Sequence, residues 1–190
     1  MKIHVTGGAG FIGSRLVRRL VKEGHDVTVF DNVSRGAVTN LDPVIDDINF
    51  VQGDIRDYDE LNDAVGSPDL LYHLAAVNGT KNFYDRPVDV MDVNIEGVQN
   101  ATKIAAERDC SRLVFSSSSE VYGYPTEFPT SEDHVLQIMN PKNPRFSYAG
   151  SKIIGEQYAI NRLEDTGTEY TILRPHNIYG EAMGEDHVIP

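Results

Sequence analysis

Residues 6–13 read Thr-Gly-Gly-Ala-Gly-Phe-Ile-Gly, or TGGAGFIG. Ile3 and Val5 just before this stretch set a short apolar strand. Leu16, Val17, Leu20 and Val21 after it recur at helical spacing as far as Gly24. The stretch is therefore read as a strand-to-helix turn. Gly8, Gly10 and Gly13 satisfy G-x-G-x-x-G, and Gly7, Gly10 and Gly13 satisfy G-x-x-G-x-x-G. Glycines at these places allow a tight turn, close approach of backbone to a pyrophosphate, and close packing of helix on strand. The helix start adds unpaired N–H groups and a positive dipole end. Gly7, Gly10, Phe11, Ile12 and Gly13 are thus candidate dinucleotide-binding residues.

Outward from this turn, apolar runs and helical patterns alternate. HDVTVFD (25–31) and INFVQGD (48–54) read as strands two and three, followed by a short acidic helix around Tyr58 to Val65. DLLYHLAA (69–76) is the fourth strand, and a long helix runs from about Pro87, a residue favoured in a first turn, to Arg108. RLVFSSS (112–118) is the fifth strand. A Pro-rich loop, a helix over about 146–165 and a sixth strand, EYTILRP (169–175), complete the order. Strands apolar on both faces that alternate with helices call for a parallel sheet covered on both sides. The predicted fold is therefore α/β, a Rossmann-type doubly wound parallel sheet with helices on both faces. Ligands of such sheets bind beyond the carboxyl ends of the strands, so functional residues should follow strands.

Composition narrows the function classes. The 190 residues suffice for one domain with a substantial core, or a core with the start of a second. With 40% hydrophobic and 24% charged residues the composition is that of an ordinary globular protein. A formal net charge of −12 argues against nucleic-acid binding, which needs clustered Lys and Arg. It leaves room for an anionic ligand held by backbone N–H groups. Cys110 is the single cysteine, so neither an intrachain disulfide nor a thiolate cluster is expected, and the six histidines lack metal-ligand spacing. No signal-peptide pattern or bilayer-length apolar run is present, and a cytoplasmic location away from membranes is expected.

Asp31 closes the second strand, 18 residues beyond Gly13. A carboxylate there accepts hydrogen bonds from adenosine ribose hydroxyls and repels a 2′-phosphate, which favours NAD over NADP. Arg35 nearby could instead accommodate that phosphate. Asp54, closing the third strand, suits either an adenine edge or a turn after Gly53. Ala75 and Ala76 after the fourth strand are small enough for a cofactor to lie against the backbone. SYAGSK (147–152) puts Tyr148 and Lys152 four residues apart, on one face of a helix start. A neighbouring ammonium is expected to stabilise a phenolate and lower the phenol's pKa, as a general base requires.

Taken together, TGGAGFIG, DN (31–32), GDIRD (53–57), HLAA (73–76), VNIEGVQN (93–100), FSSSSEVYG (115–123), YAGSK (148–152) and LRPHNIYG (173–180) resemble the extended short-chain dehydrogenases/reductases of the NAD-dependent epimerase/dehydratase group. That resemblance implies a nucleotide-sugar substrate, NAD as cofactor and a transient 4-keto sugar. It adds Asn32, Ile55 and Leu74 to the cofactor-binding candidates, together with Tyr148 and Lys152. Tyr148 is expected to take the proton of a sugar hydroxyl, usually at C4, while Ser118 hydrogen-bonds the same oxygen and Lys152 holds the nicotinamide ribose. Ser116, Ser117 and Ser119 read as strand end and loop.

Glu120 suits proton transfer at C5 of a keto sugar, with a solvent-facing loop carboxylate as the plain alternative. Ser118-Ser119-Glu120 lacks the Asp of the Thr-Asp-Glu run of sugar-nucleotide 4,6-dehydratases. It is nearer the Thr-Ser-Glu run of UDP-glucuronate decarboxylases and GDP-mannose dehydratases. Asn94 is expected to support the site from the long helix, and Asn177 to reach the sugar nucleotide. The resemblance further implies an NAD-binding domain over 1–175, the start of a largely missing C-terminal substrate domain over 176–190, and a homodimer. A decarboxylase-like enzyme, an NAD-binding module without turnover and a reductase of non-nucleotide substrates remain alternatives.

Overall fold

A computed structural model of the chain describes residues 1–180. Within them the strands are β1 (Lys2–Thr6), β2 (Asp26–Asp31), β3 (Ile48–Gln52), β4 (Leu70–His73), β5 (Arg112–Ser116) and β6 (Glu169–Leu173). They form one sheet in the order β3-β2-β1-β4-β5-β6, and every neighbouring pair is parallel. The helices are α1 (Phe11–Lys22), α2 (Tyr58–Val65), α3 (Thr80–Asp85), α4 (Pro87–Glu107) and α5 (Ser147–Leu163). From β1 the chain winds outward through β2 and β3, then returns to β4 on the other side of β1. This reversal opens a crevice at the carboxyl ends of β1 and β4, where doubly wound sheets bind ligands.

Alternation along the strands feeds two cores. Ile3, Val5, Val27 and Val29 pack with Val17 and Leu20 of α1 on one face. Phe30, Leu71, Leu113 and Phe115 pack on the other with residues of α2, α4 and α5, among them Leu61, Val98, Ile104 and Ala159. Two glycines let the long helices close on the sheet side. A Cβ at Gly97 of α4 would lie 2.3 Å from Ile55 Cδ1, and one at Gly155 of α5 would lie 2.5 Å from the Phe115 ring. β1, β2 and β5 are buried on both faces as expected, whereas β4 buries alternate residues and the edge strands β3 and β6 are half-buried or exposed.

Several details depart from the sequence reading. A 3₁₀ segment, Val38–Asp47, carries Pro43 and buries Leu41, and α3 precedes Pro87 as a separate turn. α2 is capped by Asp57, whose carboxylate accepts from the Glu60 N–H at 3.0 Å. Cys110 lies fully buried between α4 and β5, its sulfur 3.2 Å from the Arg112 carbonyl oxygen, and burial pushes the thiol's pKa up. His73 is buried in β4 with Nδ1 2.8 Å from Thr6 Oγ1, and its ring stacks on Phe115. Among the described residues, no helix is long and apolar enough to cross a membrane.

Candidate active site

The crevice is a single cleft of about 730 Å³ that runs from the glycine turn to the start of α5. At one end α1 begins at Gly10 with no side-chain cap and no acidic residue in its first turn. Its first N–H groups are therefore available to an anion. Close packing explains the glycines. A Cβ at Gly13 would lie 2.1 Å from the Gly7 carbonyl oxygen, and one at Gly7 would lie 2.6 Å from the Ala75 nitrogen. Gly7 also has φ +74, a conformation that other residues resist.

Asp31 is buried at the end of β2. Its Oδ2 accepts from the Ala9 N–H at 3.0 Å and its Oδ1 from the Val33 N–H at 2.8 Å. Burial raises its pKa, and these two amides oppose that rise. The carboxylate is thus fixed by the very loop that would receive a pyrophosphate. Arg35 bridges the cleft mouth to the Asn78 carbonyl at 2.9 Å. Among the described residues, Asn78 Oδ1 is buried without a hydrogen-bond partner and belongs to a residue that lines the cleft. A glycine cradle, an uncapped helix start, a fixed acid and this unpaired acceptor together fit a dinucleotide.

Nearly all the predicted residues line this cleft: Gly7, Gly10, Phe11, Ile12, Gly13, Asp31, Asn32, Ile55, Leu74, Ala75, Ala76, Ser118, Glu120, Tyr148, Lys152 and Asn177. Asp54 does not. Its carboxylate accepts from Arg56 Nε at 3.0 Å, from Arg56 Nη2 at 2.8 Å and from the Arg56 N–H at 3.0 Å. Its neighbours Gly53 and Ile55 line the cleft instead, and its bonds to Arg56 are those of a turn residue rather than of a cleft-facing carboxylate. Asn94 is buried and braces the site: it accepts from the Val77 N–H at 2.8 Å and donates to Ser151 Oγ at 3.0 Å.

At the far end Ser118 ends the β5 extension and caps a 3₁₀ turn (Ser119–Tyr122), its oxygen accepting from the Glu120 N–H at 3.2 Å. Lys152 is buried, donates to the Ser116 carbonyl at 2.7 Å, and sits 5.7 Å from the centre of the Tyr148 ring. Burial brings its pKa down to about 7. The Tyr148 phenol is pushed up to about 12, first by burial and then by the negative Glu120, while the Ser118 hydroxyl pulls it down. The expectation of a phenol lowered by its lysine is therefore corrected. A deeply buried phenolate loses its hydration, and a lysine that is itself desolvated offers only a partial counter-charge.

The sequence reading missed Arg145. Its guanidinium grips Glu120 with both arms, at 2.7 and 3.0 Å, and lies 5.0 Å over the Phe83 ring, which stacks on Tyr148. Glu120 is thus held in the cleft rather than loose in solvent. The only sequence clue was an Arg three residues before Tyr148. Ser117 is likewise more than loop: its hydroxyl donates to the buried Glu156 at 2.5 Å. Among the described residues, no group of three or more His, Cys, Asp or Glu could hold a metal ion.

The reversed parallel sheet, with a serine after β5 and a Tyr/Lys pair one helical turn apart facing one cleft, defines a site of the short-chain dehydrogenase/reductase type. The chain belongs to the NAD dependent epimerase/dehydratase family, whose profile matches residues 3–190. It is 40% identical over 98% of its length to a provisionally named UDP-glucose 4-epimerase of Methanocaldococcus jannaschii, of which it covers 60%. It is 35% identical over 93% of its length to a UDP-N-acetyl-alpha-D-glucosaminuronate decarboxylase of Bacillus cytotoxicus, covering 54% of that protein. The crystal structure of a Thermus thermophilus UDP-glucose 4-epimerase in complex with NAD superposes with a TM-score of 0.80 at 32% identity, over 92% of this chain and 54% of that one. The chain thus spans little more than half the length of these relatives.

Proposed function

We propose that this chain binds NAD and supplies the catalytic face of a nucleotide-sugar epimerase/dehydratase. The observation that carries the reading is the continuity of one cleft, which joins the glycine turn and Asp31 to Ser118, Tyr148 and Lys152. Gly7, Gly10, Phe11, Ile12 and Gly13 would hold the pyrophosphate, Asp31 the adenosine ribose, and Leu74 to Ala76 the nicotinamide half. NAD, when bound, accepts and returns a hydride. Tyr148 takes the proton of the sugar hydroxyl, Ser118 hydrogen-bonds that oxygen, and Lys152 holds the nicotinamide ribose and counters the phenolate charge. Asn177, at the cleft rim, reaches the nucleotide sugar, with 176–190 as the start of a substrate-binding region.

Glu120 with Arg145 favours a second reading, an enzyme that also moves a proton at C5, as a decarboxylase-like or dehydratase-like reaction would require. A homodimer through the outer faces of α4 and α5 is part of the proposal, as is a cytoplasmic location. Ile154 lies exposed on that face of α5. The test is mass spectrometry of nucleotides released on denaturing the purified protein. NAD(H) is expected, and a protein that carries none and takes up none when supplied with millimolar NAD overturns the reading. Sedimentation at micromolar concentration should show a dimer, and a monomer there removes that part.

A further inference from the structure

Glu156 is 1% exposed, one helical turn beyond Lys152 on α5. It belongs to no part of the proposed chemistry, yet it is the most heavily bonded carboxylate near it. Arg174, just past β6, grips it with Nε at 2.9 Å and Nη2 at 2.8 Å. The Ser117 hydroxyl donates to it at 2.5 Å from the end of β5. Arg174 also donates to the Tyr122 hydroxyl at 3.1 Å and to the Glu132 carbonyl at 2.7 Å. One carboxylate therefore joins three segments: the β5 end that continues into Ser118, the helix that carries Tyr148 and Lys152, and the β6 end that leads to Asn177.

A buried carboxylate is costly unless paired, and a core could close the same gap with apolar residues. Its charge therefore calls for a use beyond packing. Lys152 is the other buried ion here, and burial disfavours its charge, a cost that a carbonyl and an aromatic face beside its nitrogen only partly offset. Its nitrogen has the Ser116 carbonyl as acceptor and lies 5.0 Å from the Phe115 ring centre. His73 of β4 faces it too, and the two positive charges would oppose each other. Tyr148 faces it from the preceding turn of α5, and Arg174 brings a further cation from β6. Against this set Glu156 is the negative group that favours the ammonium.

We propose that Glu156 is a positioning residue of the active site, which ties the β5 and β6 ends to α5 and supplies the counter-charge that keeps Lys152 an ammonium. This rests on the reading of Lys152 as a catalytic residue of an NAD-binding cleft. At about 7, the Lys152 pKa lies where loss of a neighbouring charge changes its protonation state at physiological pH. Glu156 is thereby distinguished from a purely structural ion pair.

The test needs no turnover. Titration of the lysine Cε resonances by ¹³C NMR across pH 5–11 gives a pKa for Lys152 without needing reagent access, with the other lysines as internal controls. In E156Q that pKa is expected to fall by on the order of one unit, while E156D, which keeps the charge, stays near the parent. In R174Q, where Lys152 becomes the main cation beside Glu156, it is expected to rise. The rise in R174Q decides the matter should E156Q not fold. An unchanged Lys152 pKa in E156Q, or in R174Q if E156Q does not fold, overturns the proposal. Calorimetry of the parent protein with NAD separates the two readings: no NAD uptake with the Lys152 shifts present sinks the cofactor reading and leaves the Glu156–Lys152 coupling standing.

Discussion

As the proposed base, Tyr148 would have to lose a proton at a place that burial and Glu120 make hostile to a phenolate. With the phenolate as the proposed base, the rising limb of kcat/KM against pH is expected to follow its pKa in the free enzyme. Glu120 raises that pKa and Arg145 lowers it. R145A should therefore shift the rising limb to higher pH and lower the rate at any fixed pH below it, whereas E120Q should shift it to lower pH. Identical profiles in both variants would show that the pair does not act on the phenol. Replacing Tyr148 with Phe should cost about 10²–10⁴-fold in turnover of a nucleotide sugar, the usual span for one acid–base group, while calorimetric NAD affinity is kept. Activity that survives this change would rule out the phenol as base.

Among the elements, the turn into α1 carries the sharpest expectation. A Cβ at residue 13 would lie 2.1 Å from the Gly7 carbonyl oxygen, and backbone there has no room to yield. G13A should lose about 1–3 kcal/mol in a urea melt, the usual cost of overpacking, and lose NAD uptake as well. An unchanged melt would mean that the turn is far more pliant than its contacts imply. These elements were also the most legible in the sequence, because strand, glycine turn and helix each leave a local pattern. The 3₁₀ stretch Val38–Asp47 and the short α3 left none: one carries a proline and little periodicity, and the other is a single turn and a half. The site divided along the same line. Ser118, Tyr148 and Lys152 follow strand ends or share a helix face, so position in the fold exposed them. Arg145, Glu156 and the Arg56 bonds of Asp54 depend on which side chains meet in space, and spacing does not encode that. The direction of the Tyr148 shift was misjudged for a related reason, since a sequence shows a neighbouring lysine but not the depth at which both lie.

At the scale of the whole molecule, buried histidines set the response to acid. His73 is held down to about 3 and His4 to about 4, chiefly by burial. Both are neutral in the fold, while the unfolded chain takes up protons below its ordinary value near 6.5. For these two groups, folded pKa values below the unfolded one mean that their contribution to stability is intact above pH 6.5 and is lost as pH falls from there towards the folded values. Each histidine should remove about 2 kcal/mol between pH 6.5 and pH 5, read as a falling urea midpoint. H73N should flatten that fall by roughly half, and an equally steep decline in the variant would point to other groups.

Cys110 has one more consequence. It is the single thiol of the chain, fully enclosed between α4 and β5. A disulfide-exchange reagent such as Ellman's can reach the sulfur only when the helix lifts from the strand, so the rate of colour development becomes a clock for that opening. Followed with and without NAD, the native cysteine would report ligand binding as slowed release of a chromophore, with no label introduced and no turnover required.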